Sequence, residues 1–289
     1  MNSITIVIPT YNEQSNISDC IKSVKWADKI IVFHMGSDNS GTIAKKLGAE
    51  VIEKFKTKKP DFKLVQQAIN WAIDNCKTEW MLRLDADERV TPELQKEIAS
   101  LLHGSIAVST PTFNSSPFIK GEDQGGEFIM KQSIVAYGIP RSQYFLGDFL
   151  KGGDWYYDRL VRLFKSKYCR YDPIVSVHEQ FKVKGKIGYL KNPLLHYSHP
   201  TLNDVIRKFN TYTDVEVNDL KISKPHALFN LLTQPPYIFA RWMIYHHGWR
   251  DGGRGVLAGL LRGYYSFLLF KKYLLSFHSA LPNEPSLTS

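Results

Sequence analysis

Short apolar runs alternate with amphipathic segments through the first hundred residues, and this alternation limits the chain to few folds. Four runs have the length and residue types of buried strands, and they are Ile4–Ile8, Lys29–Phe33, Ala49–Phe55 and Trp80–Leu84. Between them lie segments with apolar residues at helical spacing, of which Phe62–Cys76 is the longest. Strands that alternate with helices predict an α/β fold: a Rossmann-like, mostly parallel sheet with helices on both faces.

Polar residues follow three of these predicted strands at the point where each strand ends. Tyr11 and Asn12 follow the first strand, His34 follows the second, and Asp85 and Asp87 follow the fourth. In open α/β sheets, ligands bind in the crevice outside the carboxyl ends of the strands. The pattern therefore predicts a binding site at this edge of the sheet.

The segment Asp85-Ala86-Asp87 carries the strongest chemical signal. Side chains at positions i and i+2 of an extended segment point the same way, so we expect the two carboxylates to lie side by side. Such a pair repels unless a divalent cation lies between it and a phosphate group, and Mg²⁺ and Mn²⁺ prefer oxygen ligands of this kind. The alternative is an acidic loop in which Glu88 supplies a capping charge near Thr91.

Charge and cysteine content exclude several classes of protein. The formal net charge is +9, which suits nucleic acid, an anionic membrane or phosphorylated ligands. Because no helix-turn-helix, zinc finger or RNA-binding module is present, we expect no nucleic-acid partner. The three cysteines are widely spaced and form no CxxC pair, which argues against a disulfide framework or a structural zinc site.

The last sixty residues differ from the rest in composition. Phe229–Tyr245 and Val256–Leu275 are rich in leucine and aromatic residues, but Pro235-Pro236 interrupts the first segment and Arg262 the second. Basic aromatic helices of this kind favour a position in the interface of an anionic membrane over a membrane span. The alternative is that they pack on the main domain.

These observations predict three regions of the chain. We expect a main domain over 1–224 that contains the predicted binding site, a helical, membrane-associated extension over 225–280, and a flexible tail over 281–289. The apolar run near the N-terminus has no basic leader and no small-residue cleavage site, so no signal peptide is predicted. The expected location is therefore cytoplasmic, peripheral on the inner face of the cell membrane.

Two motifs resemble the large inverting family 2 of glycosyltransferases, whose members have the A-type nucleotide-sugar-binding fold. They are Ile8-Pro9-Thr10-Tyr11-Asn12-Glu13 and Leu84-Asp85-Ala86-Asp87-Glu88-Arg89. Five further segments are similar to the subgroup that includes bacterial lipopolysaccharide-core β-glucosyltransferases: Gly138–Arg141, Gly152–Trp155, Arg162–Phe164, Val177–Glu179 and Leu195–Tyr197. The resemblance implies transfer of a hexose from a nucleoside diphosphate sugar to a glycan or glycolipid acceptor, in lipopolysaccharide core or another surface polysaccharide.

The resemblance also implies roles for single residues. Three residues match the loop that holds the donor's nucleobase and ribose: Pro9, Tyr11 and Glu13. Asp85 matches the carboxylate near the ribose and the metal, and Asp87 matches the principal ligand of a divalent Mn²⁺ or Mg²⁺ ion. His196 is similar to a late histidine that supplies a further metal ligand, although an interior histidine beside Tyr197 is the alternative.

Glu179 is the candidate general base. Inversion requires one carboxylate to take a proton from the acceptor hydroxyl during its attack on the anomeric carbon, and relatives place this acid in a loop after the metal site. The alternative is that His178 and Glu179 form a surface pair that holds a loop. Arg159 and Arg162 could each neutralise diphosphate oxygens through a planar guanidinium fork.

The chain departs from the family on the nucleobase side of the site. Relatives carry Asp-Ser-Gly-Ser after the second strand, where this chain has His34-Met35-Gly36-Ser37, so His34 replaces the acid that bonds the nucleobase. Relatives also carry a basic residue where this chain has Ile69. Either the donor is bound differently, or the protein is a weakened nucleotide-sugar-binding or scaffolding member of a glycan assembly complex. The intact Asp85 and Asp87, together with Glu179, favour the enzyme.

Overall fold

The computed structural model describes residues 3–104, 134–157, 159–172 and 181–279. The chain divides into two compact units, of which the first contains Met1–Ser142 and Tyr157–Tyr197 and the second contains Gln143–Tyr156 and Ser198–Ser289. This division does not test the functional boundary after residue 224, which stays a prediction. The tail over 281–289 lies outside the described residues.

The described residues form twelve strands and seven α-helices. The strands are β1 (Ile4–Thr10), β2 (Lys29–His34), β3 (Glu50–Ile52), β4 (Trp80–Arg83), β5 (Glu88–Val90), β6 (Ile134–Phe145), β7 (Asp148–Phe149), β8 (Arg159–Lys165), β9 (Cys169–Tyr171), β10 (Phe181–Val183), β11 (Lys186–Tyr189) and β12 (Leu194–His199). The helices are α1 (Ile17–Ser23), α2 (Ser40–Lys46), α3 (Phe62–Asn75), α4 (Pro92–Leu102), α5 (Leu202–Glu216), α6 (Lys224–Met243) and α7 (Gly252–Ser279).

The main sheet of the first unit has the order β3-β2-β1-β4-β8-β6. β1 pairs in parallel with β2 and with β4, and β2 pairs in parallel with β3. β8 runs antiparallel to both β4 and β6, and β11 adds a parallel pairing on β6. The α/β class is therefore confirmed, and the strand arrangement agrees with the A-type fold that the resemblance implied.

Two apolar cores cover the two faces of this sheet. Ile4, Ile6 and Ile8 of β1 pack with residues of α1, α2 and α4 in one buried cluster. Val7, which points to the other face of the same strand, lies in a second cluster with Ile69 and other residues of α3. The alternation along β1 thus places helices on both faces, as the sequence predicted.

Local signals account for most of the element ends. The carboxylate of Asp61 accepts a hydrogen bond from the Leu64 amide at 3.1 Å and begins α3, and Thr91 does the same for the Leu94 amide of α4. Gly48 follows α2 with a φ of +88°, a conformation that favours glycine. The third strand is shorter than the predicted Ala49–Phe55, because β3 is an edge strand whose partner β2 ends at His34.

In the second unit, the aromatic C-terminal segments form helices as expected. α6 continues through Pro235 and Pro236, and α7 runs for 28 residues. Within the described residues, no helix has both the length and the apolar content needed to cross a bilayer. The two prolines each remove a backbone donor, and α7 passes close to the Pro235 carbonyl at Gly263.

Trp242 is the centre of the second unit's core. Its side chain is 1% exposed, and the indole nitrogen donates a hydrogen bond to the Gly255 carbonyl at 2.9 Å. A β-carbon at Gly153, Gly248 or Gly259 would lie within 2.8 Å of the indole ring. These three glycines therefore leave the space that the tryptophan fills, and Gly153 also needs its φ of +81°.

We expect Gly259→Leu to lower the free energy of unfolding by about 3 kcal/mol, because its side chain would overlap Trp242 and Phe239. Urea denaturation followed by tryptophan fluorescence measures the change.

The matched control is Gly253→Ala in the first turn of α7, where an added β-carbon would meet no atom within 4 Å. It should be neutral, or stabilise by up to about 1 kcal/mol, since alanine is the better helix former. Equal destabilisation by both variants would contradict the packing account.

Candidate active site

Asp85 and Asp87 lie in a tight turn after β4. The Leu84 amide still donates to the Val7 carbonyl, but the Asp85 carbonyl accepts from the Glu88 amide at 2.9 Å. In return, the Asp85 amide donates to the Glu88 carboxylate at 2.9 Å. The expected extended conformation of this segment is therefore wrong. The two reciprocal hydrogen bonds bend the chain, so the two aspartates have different neighbours.

Asp85 is held by two guanidinium groups. One carboxylate oxygen lies 2.6 Å from Arg162 Nη2, and the other lies 3.4 Å from Arg83 Nη2. Burial by itself would raise the pKa of Asp85, but Arg162 and then Arg83 reverse this and hold the pKa well below its usual range. The carboxylate therefore remains ionised, and both of its oxygens already have cationic partners.

Glu88 forms the buried side of the same cluster. Its side chain is fully buried, and Oε1 lies 3.4 Å from both Arg162 Nη2 and Arg141 Nη1. Buried charges of this kind are tolerated only when they are paired and hydrogen-bonded. The Glu88 carboxylate thus connects the turn to β8 and to β6, which carry the two arginines.

Arg83 is a member of the site that the sequence analysis missed. Its guanidinium contacts the Tyr171 hydroxyl and lies over the tyrosine ring, 5.4 Å from the centroid. Asn70 of α3 holds Tyr171 in place, since its side-chain amide exchanges two 3.0 Å hydrogen bonds with the Tyr171 backbone. A charged residue inside the otherwise apolar strand Trp80–Leu84 was the signal that could have identified Arg83.

Asp87 lies beside a histidine. β12 pairs antiparallel with β5, so that His196 lies opposite Glu88, and the Tyr197 amide donates to the Asp87 carbonyl at 2.9 Å. This pairing brings His196 Nε2 to 3.4 Å from Asp87 Oδ2, with both side chains about seven-eighths buried. His196 Nδ1 has no hydrogen-bond partner among the described residues.

Asp87 and His196 could together offer one oxygen and one nitrogen ligand to a divalent cation. Within the described parts of the chain, no group of three histidine, cysteine or acidic residues could hold a metal ion. Diphosphate-bound Mg²⁺ usually takes only one or two protein carboxylates and completes its shell with phosphate and water. The pair therefore fits a metal whose remaining ligands come from a bound diphosphate.

The loops after β1 and β2 are tied to each other. The Asn12 side-chain oxygen accepts from the Ser37 amide at 3.0 Å and from the Asp38 amide at 3.3 Å. Gly36 is required there, since a β-carbon would lie 2.2 Å from that same oxygen. The Tyr11 hydroxyl donates a hydrogen bond to the Lys58 carbonyl at 2.7 Å, which fixes the tyrosine ring beside the segment between β3 and α3.

Pro9 and Glu13 lie at the same end of β1 as these loops. Pro9 lies within buried β1, opposite Phe33 of β2. The Glu13 amide donates to the Ser40 hydroxyl at 3.0 Å, and the Glu13 carboxylate accepts from the Asn16 side chain at 2.8 Å. The two residues and Tyr11 thus lie at the carboxyl end of β1, next to the strand that delivers Asp85.

His34 ends β2 and lies opposite Thr10 of β1. Its side chain is 4% exposed, and the Nδ1 atom has no hydrogen-bond partner among the described residues. Burial, followed by the nearby Lys56 ammonium, lowers the pKa of His34 from its ordinary value. Both causes favour the neutral imidazole, and Gly41 leaves the space for the ring, since a β-carbon there would lie 2.9 Å from it.

The structure brings four predicted site residues into one cluster: Asp85, Asp87, Arg162 and His196. Pro9, Tyr11, Glu13 and His34 lie at the ends of the neighbouring strands. The candidate base Glu179 and its neighbour His178 lie outside the described residues. Arg159 lies with its guanidinium 5.8 Å from the Tyr189 ring centroid. Trp155 stacks on His199 at 4.9 Å in the second unit.

We expect the stabilising effect of Asp85 to depend on pH. Its pKa is depressed in the folded protein, so its contribution is complete above the unfolded pKa of about 4 and is lost as the pH falls below that value. The destabilisation by Asp85→Asn should therefore be large at pH 7 and should shrink below about pH 4. Thermal unfolding as a function of pH measures it.

Asp74→Asn is the control for this prediction. Asp74 also pairs with an arginine, Arg170, but both side chains are half exposed, so the expected change is below about 1 kcal/mol. A pH-independent effect of Asp85→Asn would contradict the ionic account.

Several known proteins are similar to this chain. An uncharacterized glycosyltransferase of Rickettsia typhi is 25% identical over 283 residues, covering 94% of this chain and 87% of that relative. A lipopolysaccharide core biosynthesis glycosyltransferase of Rhizobium meliloti is 22% identical over 263 residues, covering 90% and 88% respectively.

Two solved structures also match. Staphylococcus aureus TarS residues 1–349 are 13% identical with a TM-score of 0.38, covering 99% of this chain and 94% of that one. Glucosyl-3-phosphoglycerate synthase from Mycobacterium tuberculosis, in complex with Mn²⁺, uridine diphosphate and glucosyl-3-phosphoglycerate, is 18% identical with a TM-score of 0.31, covering 50% and 45%.

The family itself is identified by the first half of the chain. The profile described as glycosyl transferase family 2 matches residues 5–155, slightly more than half of the sequence. This range contains the loops after β1 and β2 and the turn from Asp85 to Glu88. The chain belongs to glycosyl transferase family 2.

Proposed function

We propose that the protein transfers a hexose, with inversion at the anomeric carbon, from a nucleoside diphosphate sugar to a glycan or glycolipid acceptor. The observation that carries this proposal is that the two aspartates of the Asp85–Glu88 turn have different partners. Asp85 is bound by two arginines, whereas Asp87 lies beside the imidazole of His196. Asp87 of the turn and His196 of β12 therefore present one carboxylate and one ring nitrogen at the strand end where ligands of such sheets bind.

Asp87 and His196 are the proposed protein ligands of a divalent Mn²⁺ or Mg²⁺ ion. The fit is supported by the 3.4 Å distance between Asp87 Oδ2 and His196 Nε2. When bound, the ion would neutralise the negative charge that develops on the departing diphosphate. Asp85 adds negative charge near the proposed ion, but its ion pairs with Arg162 and Arg83 favour a role near the donor's ribose.

Arg162 acts in this proposal by holding Asp85. Its side chain is 2% exposed and lies between the carboxylates of Asp85 and Glu88. A guanidinium with these neighbours fixes the turn, which keeps Asp87 in place beside His196. It also offsets the negative charge that a diphosphate would otherwise meet at this strand end.

Pro9, Tyr11, Glu13 and His34 are proposed to hold the nucleoside of the donor. Their support is the pair of loops that Asn12 ties together at the ends of β1 and β2. His34 presents a neutral imidazole where relatives carry a carboxylate. A neutral ring can donate through one nitrogen and accept through the other, whereas an ionised acid only accepts.

Glu179 remains the proposed general base. Its carboxylate takes the proton of the acceptor hydroxyl as that oxygen bonds to the anomeric carbon, and the bond from this carbon to the diphosphate oxygen breaks. The proton thus ends on Glu179 and the electron pair of the broken bond ends on the diphosphate. No covalent sugar–enzyme intermediate is needed.

The acceptor is proposed to be lipopolysaccharide core or another surface polysaccharide. The Rhizobium meliloti relative, which is named for lipopolysaccharide core biosynthesis, supports this choice. Growing glycolipids of this kind are anchored in a membrane, so we propose that the enzyme works peripherally on the inner face of the cell membrane.

We expect Asp87→Ala to lower transfer or donor hydrolysis by about 100-fold or more, because a carboxylate that stabilises the leaving diphosphate is lost. A thermal-shift screen with UDP, GDP, CDP and dTDP, with and without Mn²⁺, should also show that the metal-dependent stabilisation disappears.

The control for Asp87→Ala is Asp19→Ala, which removes an exposed carboxylate on α1 that pairs only with Lys22 among the described residues. It should leave both readouts unchanged. Full activity of Asp87→Ala would exclude the metal role, and nucleotide binding without any turnover in the native protein would favour the scaffolding alternative.

We expect His34→Asp to change which nucleoside diphosphate binds best. The substitution replaces a neutral imidazole by an acceptor-only group at the same strand end, so contacts to the base must change while metal dependence persists. The affinities of the four nucleotides, compared between native protein and variant by calorimetry, measure this. His103→Asp, an exposed change after α4, is the control, and an unaltered ranking in His34→Asp would contradict a contact with the base.

A further inference from the structure

Helix α6 exposes an apolar stripe along its length. Phe229, Leu232 and Tyr237 are 63%, 69% and 59% exposed, and Ile244, directly after the helix, is 75% exposed. At about 100° per residue, the three helical residues lie within about 140° of one another, on one side of α6. The opposite side of the helix, which includes Trp242, forms the core of the second unit.

Helix α7 exposes a similar stripe. Leu257, Leu260, Tyr264 and Leu275 are 37%, 54%, 41% and 57% exposed. Their spacing of three, four and eleven residues again keeps them on one side of the helix. Lys271 lies within the same stripe and is exposed, so its long alkyl chain can cover apolar surface while the ammonium reaches a polar layer.

Both stripes lie on the same side of the helical hairpin. Gly263 meets Pro235 and Gly259 meets Trp242, so the two helices run antiparallel. Counting about 100° per residue, each stripe is rotated from this contact line by a similar angle and in the same sense. In an antiparallel pair, equal rotations place the two stripes on one face, which we call the hairpin face.

Helices α6 and α7 and the segment between them carry an excess of basic residues. Four of these residues pair with acidic side chains elsewhere in the second unit: Arg241 and Arg262 with Asp154, Arg254 with Asp148, and Lys272 with Asp214. From Lys224 to Ser279 the chain contains seven lysines and arginines and a single acidic residue, Asp251. The Asp251 carboxylate is already engaged, since it accepts hydrogen bonds from the Lys151 and Gly152 amides at 2.8 and 2.9 Å. Lys224, Arg250 and Lys271 are exposed and form no salt bridge within the described part of the chain.

We propose that the hairpin face docks on a lipid bilayer with anionic headgroups, with α6 and α7 lying in the plane of the interface. This rests on the membrane location given under the proposed function and names the surface responsible. Apolar side chains would enter the acyl boundary, the tyrosines would lie at headgroup depth, and the excess of basic residues matches anionic lipid. A second copy of the chain fits less well, because both copies would bring the same excess of positive charge to the contact.

Flotation of the full-length protein with vesicles tests this proposal. The native protein should float with vesicles of phosphatidylglycerol and phosphatidylcholine, and much less with pure phosphatidylcholine or at high salt. Leu232→Glu/Leu260→Glu, which places one acid in each stripe, should lower vesicle affinity by about tenfold or more. Circular dichroism should show unchanged helix content, because both side chains are exposed.

The matched control is Leu202→Glu/Ile206→Glu on α5, which makes the same charge change at two exposed apolar residues outside the hairpin face. It should float like the native protein. Equal loss in both double variants would overturn the proposal, since the effect would then be one of net charge. Failure of the native protein to float, or a dimer in light scattering that Leu232→Glu/Leu260→Glu dissociates, would also overturn it.

Vesicle binding can be tested independently of the proposed transferase activity. Asp87→Ala should float like the native protein, and Leu232→Glu/Leu260→Glu should keep its thermal response to nucleotide and Mn²⁺. If donor turnover proved absent while flotation behaved as expected, the docking surface would stand and the proposed reaction would fail.

Discussion

The site depends on one buried ionic contact, in which Arg162 lies between the carboxylates of Asp85 and Glu88. Glu88 has no access to solvent, so its charge must be met inside the protein, and Arg162 and Arg141 meet it. The Glu88 carboxylate also accepts a hydrogen bond from the Asp85 amide, and the Glu88 amide donates one to the Asp85 carbonyl. The shape of the turn and the pairing of its charges are therefore a single arrangement.

The two aspartates separate because of that arrangement. Asp85 is directed to arginines from β4 and β8, and this keeps it ionised in a partly buried position. Asp87 is directed to His196, which β12 places there by pairing with β5. A pair of like charges that would repel on an extended strand is thus divided between two different environments. This division leaves Asp87 and His196 as the pair proposed to bind a metal ion, while His34, at the end of β2, belongs to the proposed nucleoside site.

Much of the fold could be predicted from local patterns. The alternating runs identified β1, β2 and β4, and the apolar spacing over Phe62–Cys76 identified α3, because these signals act within a few residues. The roles of Arg83, Tyr171 and Asn70 could not be predicted. Tyr171 is about ninety residues from Arg83 along the chain, and their contact exists only because α3 and β9 pack together.

The sequence by itself determined the α/β class, the strand ends at which the polar residues gather, and the family motifs around Asp85 and Asp87, since periodicity and spacing are local properties. Only the tertiary structure decided which partner each aspartate has, and that the segment is a turn. It also decided that the apolar residues of α6 and α7 divide between a core around Trp242 and one exposed face. The physical reason is that burial and charge pairing are set by segments distant in the chain, which composition and spacing do not encode.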